Sequence, residues 1–311
     1  MRAVQFDSFG GANVLHVADV PVPVAGPGEV LVKVEAAGVN PHDILNRSGA
    51  MRMITGRHFP FGTGLEFAGE VVEGGGLPVG QRVWGSVPAM KTNSTGAIAE
   101  YVAVPADRIA PLPANLTCVE GASLVIAATT AIRALRQIAG LRKGKSILIR
   151  GAGGGVGLAA VQIAAAMGAV ITTLSSSSDF TTLKEMGAAQ TLDYKVVAAS
   201  DMGGFDVIFD TVGTKLLAYR RHLNPGGRMA TIAFTSGRRL AEVAVSSVFG
   251  SRRIRVFSSD AKSDLLNAAA ELVVAGQLRP TVSRTFSLAD TGLAQDDLHA
   301  GGKRGKRVIE L

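Results

Sequence analysis

The chain has 311 residues, 47% of them hydrophobic and 18% charged, and a formal net charge of +7. This length favours two domains, and so hydrophobic a composition excludes a chain that is disordered over most of its length. The basic residues are spread along the chain without interleaved aromatic residues, so we expect no binding to nucleic acid.

The first third of the chain is predicted to be a small β-barrel. Residues 29–36 alternate between apolar and polar side chains, and residues 69–73 and 80–85 form two further short strands. Glycine and proline clusters separate these strands and are typical of chain reversals. Short strands divided by such turns indicate a partly open barrel.

Strands and helices alternate in the middle of the chain. This alternation predicts a parallel sheet with crossover helices, that is, a doubly wound α/β domain. Residues 281–311 are again strand-like at both ends, and we expect residues 307–311 to return to the first barrel. The predicted strands are 147–149, 170–174, 205–209 and 228–234, and the predicted helices are 118–135, 156–167, 181–186 and 215–223.

The cysteine content and the hydropathy of the chain indicate in which cellular compartment the protein is expected. The single cysteine, Cys118, excludes an intrachain disulfide and a zinc site built from several thiolates. No signal-like apolar core stands at the N-terminus, and glycines and serines break the uncharged run 151–178. We therefore expect a cytoplasmic protein that makes no membrane contact.

A glycine-rich segment follows the buried strand 147–149. It contains Gly153, Gly154, Gly155 and Val156, and its best register is Ala152-x-Gly154-x-x-Gly157. A glycine-rich turn between a strand and a helix lets backbone N–H groups approach a pyrophosphate. The segment therefore predicts a dinucleotide site, with a loop that binds no ligand as the alternative.

The end of the next strand indicates which dinucleotide is bound. An acidic side chain at this point holds the ribose hydroxyls of NAD, whereas this chain has Ser175 and Ser176. Hydroxyl groups donate to a 2′-phosphate and do not repel it, so we expect NADP(H). The alternative is a solvated serine loop.

Several segments along the chain match a known family pattern, namely 36–43, 64–69, 96–101, 129–131, 154–157 and 305–308. Through them the whole chain resembles the zinc-independent medium-chain dehydrogenase/reductases, and within them the quinone oxidoreductase group. The resemblance implies a GroES-like catalytic domain over residues 1–115, completed by 266–311, and a Rossmann domain over 116–265. It also implies NADP(H) as the cofactor.

The same resemblance argues against metal chemistry. Zinc alcohol dehydrogenases of this superfamily use a cysteine where this chain has Asn40 and a histidine where it has Leu65. Neither replacement binds zinc, and Glu66 alone is insufficient, so we expect no metal. An enzyme without a Lewis acid needs an acceptor that is already electrophilic, such as a quinone or an α,β-unsaturated carbonyl compound.

The resemblance further implies roles for individual residues. Asn40, Asp43 and Thr130 are the expected catalytic residues, and Asn40 and Thr130 are also expected to contact the nicotinamide end of the cofactor. Each has a structural alternative: Asn40 as the cap of a turn, Asp43 as a helix N-cap, and Thr130 as core packing. The remaining expected cofactor contacts are Tyr194 at the 2′-phosphate, and Val212, Ala233 and Phe234 at the carboxamide; Phe234 has a purely structural alternative.

Two departures from the family pattern affect these expectations. Tyrosines near the substrate are replaced by Leu45 and Met51, so solvent is the expected proton source. Asp179 stands where a basic residue usually clamps the 2′-phosphate, which weakens the NADPH preference unless Arg150 or Lys195 compensates.

Other functions and assemblies remain open at this point. An enoyl-thioester reductase and an NADPH-binding redox sensor with little turnover are the alternatives to a quinone or enone reductase. The stretch 252–257 predicts an edge strand through which a homodimer forms, with an ordinary charged edge as the alternative.

Overall fold

A computed structural model describes residues 1–56, 58–88, 95–232, 254–302 and 304–311. The chain forms two compact units. The first unit contains residues 1–126, 261–274 and 280–311, and the second contains residues 127–260 and 275–279. Compared with the division made from the sequence, residues 116–126 and 261–265 lie in the first unit, and residues 275–279 lie in the second.

The first unit contains most of the short strands and the helices at both ends of the chain. The strands are β1 (Arg2–Phe6), β2 (His16–Asp19), β3 (Glu29–Gly38), β4 (Phe61–Gly62), β5 (Glu66–Gly74), β6 (Arg82–Ser86), β7 (Tyr101–Pro105), β8 (Ile109–Pro111), β15 (Val282–Ser287) and β16 (Lys306–Glu310). The helices are α1 (Pro41–Arg47), α2 (Arg52–Thr55), the first half of α3 (Cys118–Ile132), α7 (Ser263–Val274) and α8 (Thr291–Ala300).

Strand β3 is the centre of the first unit. It pairs with β5 along its length, with β7 over Glu29–Lys33, and with β16 over Ala36–Gly38. Strands β15, β6 and β8 complete this seven-stranded sheet, and β2, β1 and β4 form a separate three-stranded sheet. The predicted return of residues 307–311 to the first barrel is confirmed, because β16 lies antiparallel to β3.

The second unit alternates strands with helices. Its strands are β9 (Ser146–Arg150), β10 (Val170–Ser175), β11 (Gln190–Asp193), β12 (Phe205–Asp210), β13 (Leu223–Thr231) and β14 (Ile254–Val256). Its helices are the second half of α3, α4 (Gly155–Ala166), α5 (Phe180–Glu185) and α6 (Leu216–Arg220).

The six described strands of the second unit form one parallel sheet in the order β11-β10-β9-β12-β13-β14. This order is that of a doubly wound dinucleotide-binding sheet, and the prediction of such a sheet is confirmed. The ends of several predicted elements differ from the observed ones. For example, helix α6 is shorter than residues 215–223, and β13 begins at Leu223 rather than at residue 228. Chain order reverses between β9 and β12, where ligands of such sheets bind.

Helix α3 continues through a π-helical segment, Arg133–Ile138. Together they are long and apolar enough to cross a membrane, but 78% of an 18-residue apolar window within them is buried inside the protein. A core helix of a protein without membrane spans has these same properties, so length and composition alone do not indicate a span here.

Candidate functional site

The glycine-rich loop connects β9 to α4 in the second unit. Gly151 has a φ of +72°, which favours glycine, and a Cβ there would lie 3.0 Å from Val212 Cγ2. A Cβ on Gly157 would collide with the carbonyl oxygen of Gly151 and lie 2.7 Å from the Cα of Ala152. These two glycines are therefore required by the packing of the loop itself.

Gly154 differs from these two glycines. It is the N-cap of α4 with a φ of −78°, and the nearest atom to a Cβ there would be the Gly151 carbonyl oxygen at 3.5 Å. The protein therefore leaves space at Gly154. The space lies at the N-terminus of a 12-residue helix, whose first N–H groups have no carbonyl partner within the helix. Such a position suits a pyrophosphate.

The loop after β12 lies against the glycine-rich loop. Asp210 ends the strand, and its Oδ2 accepts hydrogen bonds from the Gly213 N–H at 2.8 Å and from Thr231 Oγ1 at 2.9 Å. Thr211 Oγ1 donates to the Arg150 carbonyl oxygen at 2.8 Å. These bonds hold Val212, one of the predicted cofactor contacts, beside the glycine-rich loop.

Arg150 has a structural role and does not compensate for Asp179. Its buried guanidinium pairs with Asp210, donates to the Thr214 carbonyl oxygen at 2.9 Å and lies 3.6 Å from the centre of the Tyr219 ring. Burial raises the pKa of Asp210, and the adjacent Arg150 charge opposes this rise. Of the two alternatives, Arg150 and Lys195, Arg150 is not available to offset the charge of Asp179, because Asp210 and Tyr219 engage its guanidinium.

The predicted 2′-phosphate residues lie together at the ends of β10 and β11. The Tyr194 N–H donates to the Ser175 carbonyl oxygen at 3.1 Å, and the Tyr194 side chain is exposed. Ser175 is buried, and its hydroxyl donates to the Ser176 carbonyl oxygen at 3.1 Å. Of the two serines, only Ser176 is partly exposed, so it is the more accessible to a ligand.

Two carboxylates flank the same serine run. A Cβ on Gly153 would collide with the carboxylate of Asp179, which therefore lies directly against the glycine-rich loop. Asp193 ends β11, and hydrogen bonds from the Lys195 N–H and then from Ser177 hold its pKa below the ordinary value. Sequence reasoning identified Asp179 but missed Asp193.

Thr130 lies on α3 in the second unit and is buried. Its hydroxyl donates to Ser259 Oγ at 2.8 Å, and one turn later Arg133 donates to the Ser258 carbonyl oxygen at 3.2 Å. These bonds tie α3 to the segment after β14. They agree with the packing alternative for Thr130, and its contact with a cofactor stays a prediction.

Asn40 and Asp43 lie in the first unit, at the start of α1. Asn40 is the N-cap, and its N–H donates to Asp43 Oδ2 at 2.8 Å, while the Gly64 N–H donates to Asp43 Oδ1 at 3.2 Å. The structural alternative of Asp43 as the N-cap is therefore wrong, since Asp43 stands three residues later. Burial raises the pKa of Asp43 to about 7, although both hydrogen bonds and Lys306 act in the opposite direction.

The side chain of Asn40 belongs to a buried charged cluster that sequence reasoning missed. Its Nδ2 donates to Glu66 Oε1 at 2.8 Å, and its Oδ1 accepts from Lys306 Nζ at 2.7 Å. Glu66 and Lys306 both lie in segments that carry the family resemblance, so the sequence contained a signal that could have identified this cluster. Among the residues that the structure describes, no three His, Cys, Asp or Glu side chains group as metal ligands.

The structure thus places the predicted site residues in two groups, one in each unit. Asn40 and Asp43 are together in the first unit, whereas the other described ones lie in the second. Ala233 and Phe234 fall outside the described residues, as do Arg252 and Arg253 of the predicted edge strand.

Two family descriptions match this chain. The family described as "Alcohol dehydrogenase GroES-like domain" matches residues 26–114, and the one described as "Zinc-binding dehydrogenase" matches residues 186–309. The first match confirms the GroES-like domain expected in the first part of the chain.

Individual proteins match over the full chain. Quinone oxidoreductase of Mus musculus is 32% identical, covering 100% of this chain and 98% of its own. NAD(P)H oxidoreductase RTN4IP1, mitochondrial, of the same organism is 30% identical to this chain. The match covers 100% of this chain and 89% of that protein. The solved structure of the quinone oxidoreductase from Coxiella burnetii matches with a TM-score of 0.90 and 31% sequence identity. The match covers 100% of this chain and 99% of that chain. With its two folds and its glycine-rich site, this chain therefore belongs to the quinone oxidoreductase group of the medium-chain dehydrogenase/reductases and is an oxidoreductase.

Proposed function

We propose that this oxidoreductase transfers hydride from NADPH to quinones or other α,β-unsaturated carbonyl compounds without zinc. The observation that carries the proposal is the open space at Gly154, the N-cap of α4. The protein's own packing does not require glycine there, so the missing Cβ is explained by the close approach of a phosphate.

The residues around this space suit a nicotinamide dinucleotide. The N–H groups at the start of α4 would hold the pyrophosphate, and Val212 would lie beside the nicotinamide carboxamide. A reduced nicotinamide supplies a hydride when bound. The relatives named for NAD(P)H support the use of such a cofactor.

Ser176 and Tyr194 support NADPH over NADH. The exposed tyrosine ring can pack on the adenine, and the serine hydroxyl can donate to a 2′-phosphate. Asp179 and Asp193 oppose this preference, so we propose that NADPH is preferred and that NADH is also used.

The first unit supports acceptor chemistry that needs no metal. Zinc relatives use cysteine and histidine where this chain has Asn40 and Leu65. The nearby Glu66 carboxylate is already paired with the Lys306 ammonium, which would repel a divalent ion. Conjugated carbonyl acceptors accept hydride without a Lewis acid, and we propose solvent as the source of the accompanying proton.

The test is steady-state oxidation of NADPH by the purified, chelator-treated protein, with an ortho-quinone and a simple enone as acceptors and NADH in parallel. We expect saturable turnover that survives chelation and that falls in a Gly154→Ala variant. Turnover that disappears with the chelator would overturn the zinc-independent mechanism. Cofactor binding without turnover would favour a redox sensor or a thioester-specific reductase.

Strand β14 supports a further proposal, on assembly. Among the residues that the structure describes, it is the last strand in the order of the six-stranded sheet, and its paired neighbour is β13. We propose that two copies join through this edge as a homodimer in the cytoplasm. Light scattering coupled to gel filtration measures the molar mass, and the monomer mass at micromolar concentration contradicts the dimer.

A further inference from the structure

A lysine is buried at the carboxyl end of β3, in the first unit. Lys306 is 8% exposed, and its Nζ donates to three acceptors: Glu66 Oε1 at 2.5 Å, Asn40 Oδ1 at 2.7 Å and the Val39 carbonyl oxygen at 3.0 Å. An ammonium group has three N–H bonds, and all of them are used. Lys306 therefore has no donor left for a substrate or a cofactor.

The Glu66 carboxylate is equally committed. It is fully buried, and its Oε1 accepts from both Lys306 and Asn40 while its Oε2 accepts from the Ile126 N–H at 2.6 Å. A Cβ on Gly38 would collide with this carboxylate, so the glycine at the end of β3 makes room for it. A buried charge is costly without such partners, and here each charge has them.

These partners allow only one orientation of the Asn40 amide. An ammonium only donates, so it must face Oδ1, and an ionised carboxylate only accepts, so it must face Nδ2. Reversing the amide would place a donor against Lys306 and an acceptor against Glu66. The two charges thus select the orientation of a side chain at the start of α1.

We propose that Lys306 is a positioning residue, which fixes the orientation of the Asn40 amide for hydride transfer through its ammonium group. Lys306 acts on the reaction only through Asn40, because its own three N–H donors are all used within the cluster. The kinetic part of this proposal rests on the proposed function. A purely structural role would require only that the charge of Glu66 be balanced.

A double substitution separates positioning from charge balance. Lys306→Met alone leaves Glu66 buried without its cation, so we expect the first unit to be destabilised. Lys306→Met with Glu66→Gln removes both charges and restores neutrality. In this variant, the oxygen of the introduced glutamine is expected to keep accepting the hydrogen bond from the Ile126 N–H. The amide NH₂ of the glutamine then faces Asn40. Asn40 has to turn its Oδ1 toward this new donor. The double variant is therefore expected to be folded, with a reversed Asn40 amide.

Three measurements apply to the wild type, both variants and the control Lys262→Met, which removes an exposed lysine paired with Asp107. The fluorescence of Trp84, the single tryptophan and a buried residue of the first unit, reports unfolding. Steady-state kinetics with NADPH and a quinone give kcat and KM. Hydrogen exchange of the side-chain amide in ¹⁵N-asparagine-labelled protein, assigned with Asn40→Ser, reports the Asn40 contacts.

We expect the double variant to recover most of the unfolding midpoint lost in Lys306→Met, while its kcat stays about ten- to hundredfold below wild type with little change in KM. Its Asn40 amide signal is expected to shift and to exchange faster, and Lys262→Met to match wild type throughout. A double variant with wild-type kcat and a perturbed Asn40 signal would overturn the proposal. Unchanged Asn40 exchange in both Lys306 variants overturns it without reference to activity, and a wild type without turnover contradicts the proposed function alone.

Discussion

The carboxylate of Asp179 lies against Gly153, so that any side chain at this glycine would collide with it. A negative charge therefore stands beside the loop that is proposed to hold the cofactor phosphates, and Arg150 does not neutralise it because Asp210 and Tyr219 engage its guanidinium. We therefore expect the cofactor preference of this chain to depend on a balance between serine hydroxyls and a nearby carboxylate.

Replacing Asp179 is expected to change this balance. The Asp179→Lys substitution replaces a negative charge, which repels a 2′-phosphate, by a positive charge, which attracts it. The ratio of kcat/KM for NADPH to kcat/KM for NADH should therefore rise about tenfold or more. Asp201→Asn is the matched control, because this exposed aspartate precedes β12 by four residues and lies toward the opposite ends of the strands. An unchanged ratio in Asp179→Lys means that the 2′-phosphate lies elsewhere.

Two glycines of the same loop are expected to respond differently to alanine. Gly157→Ala introduces a clash with the Gly151 carbonyl oxygen and should destabilise the second unit. A methyl group at Gly154 has room within the protein, so the loss of stability in Gly154→Ala should stay below about 1 kcal/mol. The same methyl group would enter the space proposed for the phosphate. The dissociation constant of Gly154→Ala for NADPH should rise roughly tenfold or more.

Thermal unfolding and fluorescence titration of both glycine variants check this difference. Equal losses of stability would show that both glycines serve packing only. Wild-type affinity in a folded Gly154→Ala would remove the observation on which the cofactor site rests.

Asp43 is expected to make the first unit less stable as the pH rises. Its pKa is about 7 in the folded protein against 3.8 ordinarily, so between these values the folded state binds more protons than the unfolded state. The free energy of unfolding then falls from pH 4 to pH 7, by roughly 4 kcal/mol at most from this group. Asp43→Asn removes the titration.

Urea unfolding followed by Trp84 fluorescence at pH 5 and pH 8 measures this effect in the first unit. The difference between the two pH values should be smaller in Asp43→Asn than in wild type. Identical differences in the two proteins would assign the pH dependence to other groups.

The buried ion pair in the second unit should matter more than a surface pair. Arg150→Met leaves the Asp210 carboxylate buried without its cation, and we expect a loss of about 3–5 kcal/mol. Lys145→Met removes an exposed pair with Asp206 at 3.3 Å, and should cost less than about 1 kcal/mol. Circular dichroism during urea unfolding measures both, and a similar cost for the two variants would contradict the structural role of Arg150.

Local patterns in the sequence predicted the second unit well. Apolar strands, the helices between them and the glycine-rich loop depend on neighbouring residues, and these elements were confirmed. Helix α7 was not predicted, although its buried residues Leu265, Leu266, Ala269, Leu272 and Val273 recur at helical spacing.

The side-chain contacts of the site were harder to predict. Asn40, Glu66 and Lys306 are separated by 26 and 240 residues along the chain, and only the pairing of β3 with β5 and β16 brings them together. Arg150 illustrates the same limit, because its position before the glycine-rich loop suggested a phosphate contact. Its side chain instead packs on Tyr219, which no local pattern indicates.

The pairing of β16 with β3 has a consequence for synthesis on the ribosome. All six described strands of the parallel sheet have emerged once β14 is synthesised, whereas Ala36–Gly38 of β3 pair with β5 early and gain their second neighbour only with residues 306–310. Until then, Glu66 of the nascent chain lacks its partner, the ammonium group of Lys306. We therefore expect the second unit to fold first during translation, and the first unit to complete its folding only after residues 306–310 have also emerged.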